Sequence, residues 1–411
     1  MNRNRRSQNW LYLFALIFFF LGATPATAVF ENKLPTVPPN DSSKSIVGSE
    51  SSLLPNAARG QRIASDRNKG DCAACHVIPP YKPEFHGSIG PSLSGVGSRY
   101  SADQLVEFLR EPRKGESTSI MPSYSRTQGL YNVLVAHRKK PLLSRGEIAD
   151  VVAYLLTLTA PPGGEEATDT HHLNQHLPTR PVSGKLFLSD ANKTLQDDEF
   201  ANPGRLWLDI GSRLWNEEAG PSLQSCSSCH GSASESMKGV RSRYPLYREA
   251  HNNLVSLQQQ INYCRSKEIG AAAYLPESED LLALEVFVSH QSHGLPIQPM
   301  IDGPAAPFFE AGQRYFFQRR GHLDLSCSDC HDRHAGRRLH GETISQGQTN
   351  AFPIYRLSWH GIGSAHRMFA WCNRAIRAEP LAHGSYKYLS LELYLAWRGR
   401  GLTVEVPAIR R

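Results

Sequence analysis

Methionine is scarce in this chain of 411 residues: there are five, and between Val29 and Ser225 the only one is Met121. Long apolar runs are scarcer still. Past residue 28 no stretch is long and apolar enough to span a bilayer, which excludes a membrane-spanning class for the remainder. Cysteine is almost fully committed, because six of the eight fall into three C-x-x-C-H motifs, leaving only Cys264 and Cys372. That excludes a disulfide framework. Between Gly312 and Ala378 acids are few, with Asp324, Asp329, Asp332 and Glu342 set against ten arginines, so this part of the chain should attract anions. The whole-chain charge of +7 is modest and calls for no nucleic-acid partner.

What is present is a globular balance of 40% hydrophobic and 20% charged residues, enough for two or three domains. Residues 1–28 combine Arg3, Arg5 and Arg6, an apolar run from Trp10 to Leu21, and Ala26-Thr27-Ala28. They read as a secretory signal cut before Val29, which places the mature chain in the periplasm with no membrane span. Residues 29–65 read as an extended leader and 161–184 as a polar, Pro-containing linker. The expected fold is mainly α, with three cytochrome c-like haem domains at 66–160, 185–295 and 296–411. Helices are expected from Ser101 to Arg110, from Ser144 through Leu155, and from Tyr386 to Trp397. An extended tail from Leu402 to Ile409 should pack on the last domain.

The motifs Cys72-Ala-Ala-Cys75-His76, Cys226-Ser-Ser-Cys229-His230 and Cys327-Ser-Asp-Cys330-His331 carry the chemistry. In each, two thiols would join the vinyl groups of a haem and the histidine would reach its iron from one side. Three covalently bound c-type haems are expected. A zinc site would need a second ligand pair, and none lies near. For the first haem the sixth ligand is Met121, unique in its region and held out of a helix by Pro122.

The second and third motifs belong to a repeat. Gly211-Ser-Arg-Leu-Trp215 and Gly312-Gln-Arg-Tyr-Phe316 are 101 residues apart, as are Cys226 and Cys327, which reads as an internal duplication. Each half has one lone cysteine downstream of its motif, Cys264 and Cys372, read as axial thiolates. The alternatives are a Cys264–Cys372 disulfide, Met368, or one of His340, His360 and His366. Seven arginines lie between the third motif and the end of the Cys372 segment: Arg333, Arg337, Arg338, Arg356, Arg367, Arg374 and Arg377. Their planar forks suit small oxyanions, and Arg367, Arg374 and Arg377, nearest Cys372 in the chain, are the candidates for a site role.

Two stretches carry a family resemblance. Phe85-His-Gly-Ser-Ile-Gly-Pro-Ser-Leu-Ser-Gly-Val-Gly-Ser-Arg-Tyr100 with Met121-Pro122 resembles SoxX, and Ile261-Asn-Tyr-Cys-Arg265, Phe352-Pro-Ile-Tyr-Arg-Leu357, Cys372-Asn-Arg and Arg377-Ala-Glu-Pro380 resemble SoxA. Together these are the subunits of the SoxXA cytochromes of bacterial sulfur oxidation. The resemblance implies coupling of thiosulfate to a cysteine of the carrier SoxYZ, with electrons passed to a soluble cytochrome c. It also implies that Cys372 is the active-site cysteine, a persulfide haem ligand in the family, and that Cys264 and Met121 are the distal ligands of the other haems. Two departures are visible: the subunits are fused in one chain, and Met368 stands where many relatives carry a second arginine, so anion binding would rest on Arg367. A plain electron-transfer trihaem cytochrome and a tetrathionate-forming thiosulfate dehydrogenase are the competing functions.

Overall fold

The computed structural model describes residues 54–79, 85–159 and 180–411. The expected signal, the leader as far as residue 53 and most of the linker lie outside the described residues. Among those described, no helix is long and apolar enough to cross a membrane.

Three helix crossings organise the chain, each made possible by a glycine. In the first, α1 (Ala57–Ser65) crosses α3 (Arg145–Thr157), and a Cβ on Gly60 would lie 1.9 Å from the Asp150 carbonyl oxygen. In the second, α4 (Leu206–Asn216) crosses α6 (Glu279–His290), where a Cβ on Gly211 would lie 2.3 Å from the Ala283 carbonyl oxygen. In the third, α7 (Ala306–Phe317) crosses α9 (Tyr386–Arg398), and the Gly312 position is 2.0 Å from the Ser390 carbonyl oxygen. No other residue allows backbones to approach so closely. Around each crossing the cores are apolar: Val151 and Leu155, Leu281 and Leu284, Leu389 and Leu393 are all buried.

The expected helices are present with their caps. Ser101 and Ser144 form capping boxes with Gln104 and Glu147 at the starts of α2 (Ala102–Arg110) and α3. The expectation of an extended leader to residue 65 is corrected: Asn56 accepts the Arg59 amide as an N-cap and opens α1, and Arg59 is held to Asp150 of α3. The missing apolar periodicity hid it, since tertiary packing on α3 rather than a continuous stripe stabilises this helix.

The middle and C-terminal regions share a plan of elements. Before each motif a loop closes by a bridge, Ala219–Gln224 and Arg320–Leu325. After it comes an antiparallel hairpin, β1 (Leu246–Arg248) with β2 (Asn253–Val255) and β3 (Ile354–Arg356) with β4 (Gly361–Gly363). Then Ser256 caps α5 (Leu257–Tyr263) and Ser364 caps α8 (Ala365–Ala375), with Cys264 and Cys372 each eight residues after its capping serine. The tail adds β5 (Ala408–Arg410), parallel to β3, and also buries Val404 and Val406 against Leu282 and Val286 of α6, so it ties both regions together.

One difference builds an interface. His230 and His331 are 101 residues apart and Pro245 and Pro353 are 108 apart, so the C-terminal region carries seven extra residues. They lie around the small ladder Arg338–Leu339 with Glu342–Thr343. This ladder meets the N-terminal region: the Ser88 amide donates to the Arg338 carbonyl (2.9 Å) and the His340 amide to the Ala74 carbonyl (2.8 Å). Elsewhere on the seam Leu134 donates to the Arg377 carbonyl, and Asp324 takes Arg113 and Arg126, the latter at 3.2 Å.

A buried polar cluster joins the middle and C-terminal regions. Gln258 donates to Glu285 (2.7 Å), Ser364 donates its amide to Glu277, and His366 pairs with Glu392 (3.2 Å). Burial pushes the Glu285 carboxyl up to about 8, against the opposing Gln258 hydrogen bond. Between the ordinary Glu range and about pH 8 the native state therefore holds a proton that the unfolded chain has released, and stability falls as pH rises through that window. The slope is at most about 1.4 kcal/mol per pH unit. Urea unfolding between pH 5 and 8 should show this loss in the native protein and a flatter profile, higher at pH 8, in Glu285→Gln. Asp324→Asn should weaken docking of the N-terminal region by about 2 kcal/mol, because two half-shielded arginines lose their counter-charge. Hydrogen exchange at the Leu134 amide should then accelerate while the α1–α3 amides stay protected.

Candidate haem and cysteine site

Local sequence presents each motif. The first lies on a single 3-10 turn, Cys72–Ala74, and the other two on short helices, Cys226–His230 and Cys327–His331, capped by Ser225 and Ser326. Two histidines are oriented for metal by backbone carbonyls. His76 Nδ1 bonds the Pro91 oxygen (2.7 Å) and His331 Nδ1 the Ser345 oxygen (2.8 Å), which fixes the proton there and leaves Nε2 as the lone-pair donor. Burial lowers both rings below the usual imidazole range, with the carbonyl bonds opposing, so both are neutral, the form that ligates iron. Gly90 and Gly347 back these rings, since a Cβ would lie 2.2 Å from His76 Cε1 and 2.9 Å from His331 Cγ. Paired thiols with a neutral, pre-oriented imidazole fit a c-type haem. The second motif is more open: Cys229 and His230 are exposed, and the His230 ring rests against Trp215.

Met121 packs, half-buried, on the same core cluster as Cys72. Cys264 is close enough to Cys226 for its charge to raise that thiol, after burial, and it begins a π-turn, Cys264–Glu268, at the end of α5. Cys372 stands by the third motif. Burial first, then the charges of Cys327 and Cys330, push its thiol up to about 12, opposed by Arg356. A thiol raised this far becomes a thiolate only with a strong local cation, which iron would supply.

The rival assignments find other partners. The two lone thiols are both free, each beside its own motif, so they are not a disulfide. Met368 packs toward Ala351 and Ile354, with Arg356 Nη1 3.7 Å from its sulfur. His366 is buried against Glu392 and accepts the Gly384 amide, His340 faces Asp71 across the seam (3.4 Å), and His360 is exposed after the turn at Leu357–Trp359.

The arginines need correction. Arg374 is exposed, and Arg377 reaches away to the Asn68 carbonyl of the N-terminal region (2.8 Å). Arg367 lies over the Trp359 ring at 4.4 Å and donates to the Ile362 carbonyl (3.1 Å). Five residues before Cys372, it sits roughly 140° around the helix from it. The guanidinium whose charge acts on Cys372 is that of Arg356, 6% exposed at the end of β3. It bonds Ser358 Oγ (3.0 Å), reaches Glu342 (3.4 Å), and lies 4.6 Å from the Trp371 ring centroid. Distance along the chain concealed it, although its motif, Pro353-Ile-Tyr-Arg356-Leu, was legible. Behind Cys372, Asn373 donates to Tyr315 (3.0 Å) and Tyr388 (2.9 Å), which fixes α8 in rotation. Across the seam, Cys330 is close enough to raise Cys75, whose thiol burial pushes up to about 12, so the first and third motifs face each other.

Comparison with known proteins agrees with this geometry. Residues 57–159 match the cytochrome c family and residues 210–297 the SoxA/TsdA cytochrome c domain. The L-cysteine S-thiosulfotransferase subunit SoxA of Pseudaminobacter salicylatoxidans is 37% identical over 231 residues, 56% of this chain and 81% of that protein. The same subunit of Paracoccus pantotrophus is 34% identical over 303 residues, covering 71% of this chain and all of that protein. The crystal structure of SoxXA from P. pantotrophus aligns with a TM-score of 0.55 at 36% identity, over 56% of this chain and 87% of that one. With its C-x-x-C-H motifs, Cys372 beside the third of them and these relatives, the chain belongs to the SoxXA family of L-cysteine S-thiosulfotransferase cytochromes.

Proposed function

We propose that this chain is a periplasmic cytochrome with three c-type haems, in which Cys372 mediates the coupling of thiosulfate to a cysteine of the carrier SoxYZ. The chain is an L-cysteine S-thiosulfotransferase. The observation that carries the residue assignment is the place of the half-buried Cys372 beside Cys327 and Cys330 with Arg356 next to it. The haems would be held by Cys72, Cys75, His76 and Met121, by Cys226, Cys229, His230 and Cys264, and by Cys327, Cys330, His331 and Cys372. The shared order of crossing helix, bridged loop, motif helix, hairpin and capped helix in the last two regions supports an internal duplication.

The net reaction joins the outer sulfur of thiosulfate to the carrier's cysteine sulfur. One S–S bond forms, and the carrier thiol's proton and two electrons are released. When bound, the haems supply the one-electron acceptors through which the pair passes to a soluble cytochrome c. The protein's own part is to hold the anion and a sulfur. Arg356, pinned by Ser358 and flanked by Trp359 and Trp371, presents a fixed charge for a thiosulfate oxygen, and Arg367, over the same Trp359 ring, is a second donor. Cys372, or its persulfide, is the sulfur that exchanges with the carrier, and the Tyr315–Asn373–Tyr388 bonds keep it aimed.

Cys372→Met should abolish turnover while all three motifs still load haem. In the native protein, the carrier should gain the mass of a thiosulfonate group. Retained turnover in the variant, or formation of tetrathionate with no carrier mass gain, would sink the reading. Arg356→Gln should lower kcat/KM for thiosulfate by about 10- to 100-fold, the worth of one or two charge-assisted hydrogen bonds, with a smaller loss in Arg356→Lys. Steady-state assays across thiosulfate concentrations check this, and Arg374→Gln should behave as the native protein does.

A further inference from the structure

The two matched loops before the second and third motifs differ at one telling position. The bridge Ala219–Gln224 has its counterpart 101 residues on in Arg320–Leu325, so an alanine in one loop is replaced by an arginine in the other. This arginine is not a surface residue. Arg320 is 2% exposed, and its guanidinium carbon lies 3.7 Å from the Tyr315 ring centroid. Nη2 donates to the Tyr315 carbonyl, while Nη1 is 3.6 Å from the sulfur of Cys327, an attachment atom of the third motif.

Its charge has no counterpart among the described residues. Nε lacks a hydrogen-bond partner, and among the described residues no carboxylate pairs with Arg320. The nearby acids are taken: Asp324 by Arg113 and Arg126, Asp329 by Arg319 and Arg333. A buried guanidinium without a counter-charge is costly, so its place beside Cys327 points to the haem attached there as what it serves.

We propose that Arg320 sets the reduction potential of the third-motif haem, raising it above that of the second-motif haem so that electrons from sulfur oxidation enter at the third. The inference rests on the reading of Cys264 and Cys372 as thiolate ligands. A thiolate stabilises oxidised iron and lowers the potential, which makes a poor electron acceptor. A fixed cation in a low-dielectric wall favours the state with one more electron, which offsets the thiolate. Both halves have the lone cysteine, but a buried guanidinium stands against an attachment sulfur, Cys327, in the half with Cys372, whereas the guanidinium acting on Cys226 in the other half is that of Arg265, half-buried and stacked on Tyr274 at 3.9 Å. Arg320 touches no reacting sulfur in this scheme. It acts on the haem's electron affinity alone.

Redox titration of the full-length, haem-loaded protein, followed by EPR and optical spectra, tests this with Arg320→Gln, Arg320→Lys and Ala219→Arg. Arg320→Gln should reduce the equilibrium constant for one-electron reduction of the third-motif haem at least tenfold, a shift of about 59 mV to lower potential, and leave the other two haems unmoved. Arg320→Lys, which keeps the charge, should retain most of the native potential. An unchanged third-haem potential in the Gln variant, or an equal fall in the Lys variant, overturns the proposal. Should the Gln variant fail to load haem, Ala219→Arg decides: a second-haem potential that does not rise overturns it. The native EPR spectrum separates the two readings. Thiolate-type low-spin signals with an unmoved potential remove only the role of Arg320, whereas their absence removes the ligand assignment and this inference with it.

Discussion

Three times in this chain a glycine lets two helices meet backbone to backbone, and the rest of the structure is hung on those contacts. At Gly60, Gly211 and Gly312 a methyl group would overlap a carbonyl oxygen of the partner helix. A glycine inside a helix costs about 1 kcal/mol of intrinsic propensity, which close packing of the two helices offsets. Each crossing fixes where the chain re-enters the fold, and an attachment motif follows 12 to 15 residues later at Cys72, Cys226 and Cys327. The motif histidine is thereby aimed at the space its haem would fill before any cofactor chemistry begins.

Repetition of one plan makes the differences informative. Seven extra residues after His331 create the ladder that docks on the N-terminal region and bring Cys75 opposite Cys330. With both regions in one chain, an association equilibrium becomes a local concentration, so the docked state survives dilution. On the other side of the C-terminal region, the cluster of Gln258, Glu277, Glu285, His366 and Glu392 and the tail strand β5 hold the middle region in place. The second motif leaves Cys229 and His230 exposed.

Around Cys372 the arrangement separates two tasks that sequence alone merges. Arg356 and the indoles of Trp359 and Trp371 form a fixed cationic wall, whereas Arg377 belongs to the seam and Arg374 to the surface. Met368, where the resemblance expects a second arginine, places its sulfur 3.7 Å from Arg356 Nη1.

The three C-x-x-C-H motifs, the capping boxes at Ser101 and Ser144, and the matched places of Cys264 and Cys372 were legible in the sequence, because each depends on spacing within a turn or on the repeat. Helix α1 was not, although Gly60-Gln-Arg-Ile63 shares its pattern with Gly211-Ser-Arg-Leu214 and Gly312-Gln-Arg-Tyr315, a signal that would have found it. Nor was the choice of arginine. Sequence determined which sulfurs and imidazoles are available, since covalent attachment and ligation are local chemistry. Only the tertiary structure decided which guanidinium stands by Cys372, because a hairpin carries Arg356 across from sixteen residues away while helix rotation turns nearer arginines elsewhere.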